Sequence, residues 1–268
     1  MDPVISAAGF AVGLLVGLTG MGGGSLLTPL LWVLGIPVPM AIGTDLAYNV
    51  GTKAVGTWIH GRQGTVDWRW AGVLAAGGVP MAVAGSVVGG LLGHDAAHLL
   101  RSLLGATLVV AGLGSAGSRW VRRRLGVRRQ AEHAEAASEG SAASEAPRSG
   151  GCGRWQWRWV LVGAAVGLLV GLTSVGAGSL LTPVLLGTAR LDPRKLVGID
   201  MAYGLAVTTA AGLAHVVAGT ADLALAAQLA LGSVPGVWIG SRLMAYVPKR
   251  PLHLALSGLV VISGVTMW

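Results

Sequence analysis

Charge is scarce in this sequence. Charged residues make up 11% of its 268 residues, less than half the share of an ordinary soluble domain, which excludes a soluble enzyme. Cysteine occurs once, at Cys152, so no disulfide scaffold can form within the chain. The low hydrophobicity of a disordered chain is missing too: 53% of residues are hydrophobic and mean hydropathy is +0.68. No cysteine or carboxylate cluster stands at metal-ligand spacing, and no cofactor is implied. What is abundant is glycine, 44 residues, set within long apolar runs. The class that remains is an all-helical polytopic membrane protein, multi-pass in the inner or plasma membrane, with the lipid bilayer as its solvent.

The formal net charge of +8 invites a nucleic-acid reading, but its distribution argues against one. Nine of the nineteen cations lie in 119–158, together with Glu132, Glu135, Glu139 and Glu145. A basic cluster beside an apolar span sets membrane orientation, so no nucleic-acid partner is expected. No Lys or Arg precedes the first apolar run and no A-x-A site follows it, so no cleavable signal peptide is expected.

The chain reads as a duplication. Residues 12–29 and 166–183 are identical at 15 of 18 positions, with VGLLVGLT and SLLTP flanking GMGGG (20–24) in one copy and SVGAG (174–178) in the other. One residue later in register, Asp45 faces Asp200, Tyr48 faces Tyr203, His60 faces His215, Asp67 faces Asp222 and Pro80 faces Pro235. The expected units are a first membrane repeat (1–118), a cytoplasmic polar linker (119–158) and a second membrane repeat (159–268). Each repeat holds four apolar segments, about 4–36, 39–60, 70–93 and 96–117, then 159–189, 195–217, 223–245 and 252–268. Trp68, Trp70, Trp120, Trp155, Trp157, Trp159 and Trp268 flank them, as in an interfacial aromatic belt.

The first segment of each repeat is too long for one span. As a single helix, 4–36 would reach about 50 Å against a bilayer core of about 30 Å. The glycines between Thr19 and Ser25 break it into two half-helices, neither of which spans alone. The halves stack end to end or fold as a hairpin, and the loop lies at membrane depth, where irregular backbone must be buried or line a cavity. Lys and Arg favour the hairpin. With the linker in the cytoplasm, single crossings place two short-loop cations inside and seven outside. A hairpin that returns to its own side places eight inside and only Arg101 outside, which makes the repeats inverted in topology.

The glycine loops are the leading candidates for a binding site. Ser25 and Ser179 stand where each second half-helix should begin, and a helix N-terminus attracts anions. Gly22, Gly23, Gly24, Gly176 and Gly178 allow close backbone approach. Thr19, Thr28, Thr173, Ser174 and Thr182 add hydroxyl donors. The competing reading is a helix break whose small residues serve tight packing.

The stretch G-L-T-G-M-G-G-G-S-L-L-T-P (17–29), its copy (171–183), A-I-G-T-D-L-A-Y-N (41–49) and V-G-I-D-M-A-Y-G (197–204) resemble the paired signature of the TauE/SafE sulfite exporter family, over nearly the whole chain apart from the linker. The resemblance implies a permease for a small sulfur-containing anion such as sulfite, sulfoacetate or a related organosulfonate.

Asp45 and Asp200 lie within apolar spans, where a carboxylate is costly; each either carries a coupling proton or sodium ion or plays a structural part. Tyr48 and Tyr203 share those helix faces. Lys53, with Asn49 and Asp45 on its face, either meets an anionic substrate, pairs with Asp45 or snorkels to the interface. His60 and His215 shuttle protons or stand as interfacial residues. Asp67 and Asp222 are expected to cap helices, and Pro80 and Pro235 to kink them. The function expected is ion-coupled secondary transport of a small anion by alternating access. The rivals are an intramembrane enzyme, for which no Ser/His or Cys/His constellation beyond the duplicated positions speaks, and a non-transporting scaffold or receptor.

Overall fold

The computed structural model describes residues 3–19, 24–91, 97–124, 152–176, 178–188, 193–243, 258 and 260–265. The expected Gly22 and Gly23 of the first loop, and linker residues 125–151, lie outside the described residues. Among those described there is no strand. The helices are α1 (Pro3–Thr19), α2 (Gly24–Val33), α3 (Val38–Arg62), α4 (Trp68–Leu91) and α5 (Ala97–Arg124), then α6 (Cys152–Thr173), α7 (Leu181–Thr188), α8 (Pro193–Val217) and α9 (Leu223–Leu243). Residues 260–265 are also helical.

Four of these helices are long and apolar enough to cross a membrane: Trp68–Gly90, Gln156–Thr173, Lys195–Val217 and Leu223–Gly240. Ile5–Val16, Gly24–Val33 and His98–Leu113 are apolar but shorter. In the first long segment α1 ends at Thr19 and α2 starts at Gly24, with 20–23 outside the described residues; in the second, α6 ends at Thr173 and α7 starts at Leu181. Helices α4 and α9 run without interruption through Pro80 and Pro235.

The turns after α3 and after α8 are built from the same residues. In the first repeat Gly64 (φ 66°) takes a left-handed conformation open to glycine, and His60 Nδ1 pairs with Thr65 Oγ1 at 3.0 Å. In the second, Gly219 (φ 70°) and the His215–Thr220 pair at 2.8 Å do the same. Asp67 then caps α4 by accepting from the Trp70 amide at 3.3 Å, and Asp222 caps α9 by accepting from the Leu225 amide at 2.9 Å. Both histidines therefore hold turns.

Packing exchanges helices between the repeats. Helix α1 lies along α9, and α4 along α6. Both pairs are parallel: the carbonyls of Ser6, Phe10 and Leu14 rest on Gly232, Gly236 and Gly240, and those of Leu74, Gly78 and Ala82 rest on Gly163, Gly167 and Gly171. A Cβ at any of these glycines would strike a backbone oxygen. Helices α3 and α8 cross antiparallel at the centre, with Gly212 beside Leu46, Lys53 over Gly204 and Met201 beside Gly56. Their ends dock reciprocally: the Thr220 carbonyl rests on Gly43, and the Thr65 carbonyl rests on Gly198. The Asp222 amide also donates to Thr44 Oγ1 at 3.1 Å.

The core runs through Leu27, Leu31, Ile42, Leu46, Leu74, Leu104, Leu108, Leu181, Leu185 and Tyr203, all fully buried. The outer face is apolar, with Val55, Trp58, Leu113, Leu213, Leu231, Val234 and Ile262 exposed, as a lipid-embedded surface requires. The expected tryptophan belt divides. Trp68 and Trp157 are exposed, whereas Trp70 and Trp159 are buried and meet edge to face at 4.9 Å. The side chains of Trp120, Trp155 and Trp268 lie outside the described residues.

Candidate functional site at the helix breaks

At the centre of the bundle sits a buried polar cluster built from both repeats. Asp45, two turns into α3, accepts at Oδ2 from Thr28 Oγ1 of α2 (2.7 Å) and from Ser174 Oγ, at the break after α6 (2.5 Å). The Thr28 and Ser174 hydroxyl oxygens also stand 2.7 Å apart, so either proton can bridge the pair only by leaving Asp45. Asn49, one turn along α3, donates from Nδ2 to Asp45 Oδ1 at 2.8 Å. Thr28, Asp45 and Asn49 are all buried, so in an apolar medium these bonds offset desolvation costing several kcal/mol per unsatisfied group. Gly24 closes the cluster: a Cβ there would stand 2.7 Å from the Ser174 carbonyl and 3.4 Å from Asp45 Oδ2.

Ser174 has φ 57°, the left-handed region that a non-glycine residue visits at a cost of roughly 1–2 kcal/mol. Its hydroxyl bond to Asp45 holds it there. Beyond it, Thr173 Oγ1 bonds back to the Leu169 carbonyl at 2.7 Å, and Gly176 (φ 144°) turns its carbonyl to accept from the Leu180 amide at 3.0 Å. The second loop thus satisfies part of its own backbone. Helix α7 begins at Leu181, two residues past Ser179, whereas α2 begins at Gly24, just before Ser25.

Asp200 occupies the corresponding place in α8 and has different surroundings. Its Oδ2 pairs with Lys53 Nζ of α3 at 3.4 Å, and both side chains are buried. Its Oδ1 is buried and accepts no hydrogen bond among the described residues. The repeat register explains the difference. The three donors on Asp45 are Thr28, Ser174 and Asn49; in register with them for Asp200 stand Thr182, Gly20 and Gly204. Two of the three are glycine. Lys53 fills the space that Gly204 leaves: a Cβ on Gly204 would sit 2.6 Å from its Nζ.

Of the residues expected at the site, the structure gathers Gly24, Thr28, Asp45, Asn49 and Ser174 around one carboxylate, with Lys53 and Gly178 beside Asp200. Lys53 meets Asp200 across the repeats instead of Asp45 on its own helix, because α3 and α8 cross there. Ser25 and Thr173 are buried nearby in sequence, while Ser179 and Thr182 are half-buried. Tyr203 donates to the Gly163 carbonyl at 2.8 Å and serves the α6–α8 contact. The side chain of Thr19 lies outside the described residues. The bridge from Ser174 to Asp45 and the pocket at Gly204 are not among the sequence expectations; their sequence signals are the repeat mismatches of Ser174 with Gly20 and of Asn49 with Gly204. Among the described residues no group of three or more His, Cys, Asp or Glu gathers.

Apolar spans, an apolar exterior and a carboxylate-centred polar cluster buried where helices break define a multi-pass membrane protein of the transporter class. The profile of the family described as Sulfite exporter TauE/SafE matches residues 5–267, and the chain belongs to that family. It is 34% identical to "Probable membrane transporter protein YjnA" of Bacillus subtilis (strain 168), with 100% of each chain covered. It is 30% identical to a "Probable membrane transporter protein" of Xylella fastidiosa (strain 9a5c), covering 97% of this chain and 92% of that one. To "Probable membrane transporter protein YdhB" of B. subtilis it is 25% identical over 96% of both. No solved structure matches the chain significantly.

Proposed function

We propose that this membrane transporter moves a small sulfur-containing anion (sulfite, or an organosulfonate such as sulfoacetate) by ion-coupled alternating access. The observation that carries the reading is the unequal pair of buried carboxylates. Asp45 is saturated and ties α2, α3 and the second glycine break together. Among the described residues Asp200 has one partner, Lys53, and one oxygen that accepts no hydrogen bond. Its 3.4 Å contact with Lys53 is long for a charge-assisted bond, which favours an exchangeable pair. An anion arriving between the breaks takes Lys53 as its counter-ion, and Asp200, released, takes the coupling proton or sodium ion. Ser25, Ser179, Thr182 and the second amide proton of Asn49, with the backbone of Gly22, Gly23, Gly24, Gly176 and Gly178, supply the anion's donors, while the Thr28 and Ser174 hydroxyls stay on Asp45. Asp45 keeps the two breaks in register. No covalent step is required, so the protein is read as a permease and not an enzyme.

Inverted topology belongs to this reading. Repeats 1–118 and 159–268 would be related by an axis in the membrane plane, with the linker 119–158 in the cytoplasm. Three contacts support it. Helices α3 and α8 cross antiparallel; single crossings would make them parallel. Thr220 rests on the start of α3, and Thr65 on the start of α8, pairs that single crossings would put on opposite sides. Helix α1 runs parallel to α9, while the turn after α2 shares a cavity with Thr220 just ahead of α9, so both ends of the first segment face one side.

The test is flux of radiolabelled sulfite and sulfoacetate into proteoliposomes under imposed proton and sodium gradients. The native protein should accumulate one of them, and Asp200→Asn should retain anion exchange while losing accumulation. Absence of flux above empty liposomes for both anions under both gradients would discard the reading.

A further inference from the structure

Arg101 is the one Lys or Arg among the short loops that the hairpin topology leaves on the outer side. A cation that breaks the positive-inside pattern needs a reason. The structure sets it on the second turn of α5, with its guanidinium over the Trp32 ring at 4.7 Å. Its Nε is buried and has no hydrogen-bond partner among the described residues. Both side chains line a cavity of about 510 Å³, together with Ile36, Met40, His98 and Thr220. No Asp or Glu is among the described residues that line it.

The cavity stands directly outward of the central cluster. Trp32 is one turn beyond Thr28 on the same face of α2, about 6 Å along the axis. Met40 is five residues before Asp45 on α3, about 7.5 Å. A bare inorganic anion would leave such a volume mostly empty, whereas an apolar wall with one cationic group is the usual form of a pocket for an organic ligand with a charged head.

We propose that this cavity is an outer vestibule that captures an organosulfonate, with the head on the Arg101 guanidinium and the carbon body against Trp32. The proposal rests on the anion-permease reading and its topology, and it adds a second site that the substrate meets before or after the central one. Arg101 concentrates anions at the mouth, and the short axial distance delivers them to Thr28.

The test uses a reagent that is itself an ethylsulfonate. Met40, exposed and lining the cavity, is replaced by Cys in a Cys152→Ser background. Intact cells are treated with sulfonatoethyl methanethiosulfonate or with its trimethylammonium counterpart. The anionic-to-cationic rate ratio should fall roughly tenfold in Arg101→Gln and Arg101→Met, at the lower end of what a charged cleft does to local ion concentration. Arg101→Lys should preserve it. An unchanged ratio after removal of the charge overturns the vestibule and leaves the transport reading standing. Labelling of Met40→Cys only from the cytoplasmic side overturns both vestibule and topology. If the Arg101 variants fail to reach the membrane, sulfoacetate should still slow anionic labelling of Met40→Cys with native Arg101, and equimolar tetramethylammonium should not; equal effects overturn the proposal.

Discussion

Lys53 has Thr208 as its counterpart in the second repeat, and Asn49 has Gly204, so the two central carboxylates are served by different chemistry. A buried ion pair within the membrane is costly to break from one side. Removing either partner leaves an uncompensated charge, at about 3–5 kcal/mol. Lys53→Met and Asp200→Asn should therefore each lower the thermal unfolding midpoint in detergent, and the double variant should recover most of the loss. Additive losses in that cycle would mean that the pair contributes no interaction energy. Gly204→Ala should lower the midpoint in the native background, because its Cβ falls where Lys53 Nζ lies, and the effect should shrink once Lys53 is Met. Asp45 and Asp200 were legible as costly intramembrane carboxylates, and Asp67 and Asp222 as helix caps. The partner of Lys53 was not, because spacing along one helix reports only that helix's face. The answer lay across the α3–α8 crossing, where a missing side chain on Gly204 admits a long one from elsewhere.

At the scale of the element, glycine does two jobs that composition alone does not separate. Some glycines break helices, and others let helices approach. Gly163, Gly167 and Gly171 on α6, and Gly232, Gly236 and Gly240 on α9, recur every four residues, so they line one face and receive carbonyls from the neighbouring helix. Gly167→Val or Gly236→Val should separate a parallel pair, costing about 1–3 kcal/mol or more from overpacking and broadening the gel-filtration peak. Gly51→Ala and Gly72→Ala meet no atom within 4 Å and should be neutral or stabilising by up to about 1 kcal/mol. A loss as large at Gly51 or Gly72 as at Gly167 would remove the distinction. The break of each first segment was legible from length against bilayer thickness. Which helix each half would choose was not: α1 turns to α9 and α2 to α3, because the four-residue glycine spacing of α9 accepts α1, whereas Leu27 and Leu31 of α2 find apolar partners elsewhere in the core.

For the whole molecule, the antiparallel crossing of α3 and α8 makes a sidedness prediction. Leu34→Cys and Ala218→Cys, each in Cys152→Ser, should label with an impermeant thiol reagent from one side of the membrane, and Gln63→Cys from the other. Labelling of Leu34→Cys and Ala218→Cys from opposite sides would restore single crossings and end the inverted arrangement. The pairing of α1 with α9 and of α4 with α6 has one further consequence, and it concerns time. Gly9 emerges during synthesis about 220 residues before Leu229, the residue whose carbonyl it will touch, an interval on the order of ten to forty seconds at ordinary rates of elongation. Through that interval α1 waits in the bilayer or at its surface with a bare glycine face and no lasting neighbour. The newborn chain is therefore most exposed to quality control in its first helix, and a substitution on that face can lower abundance in a cell without touching anything that binds or moves a substrate.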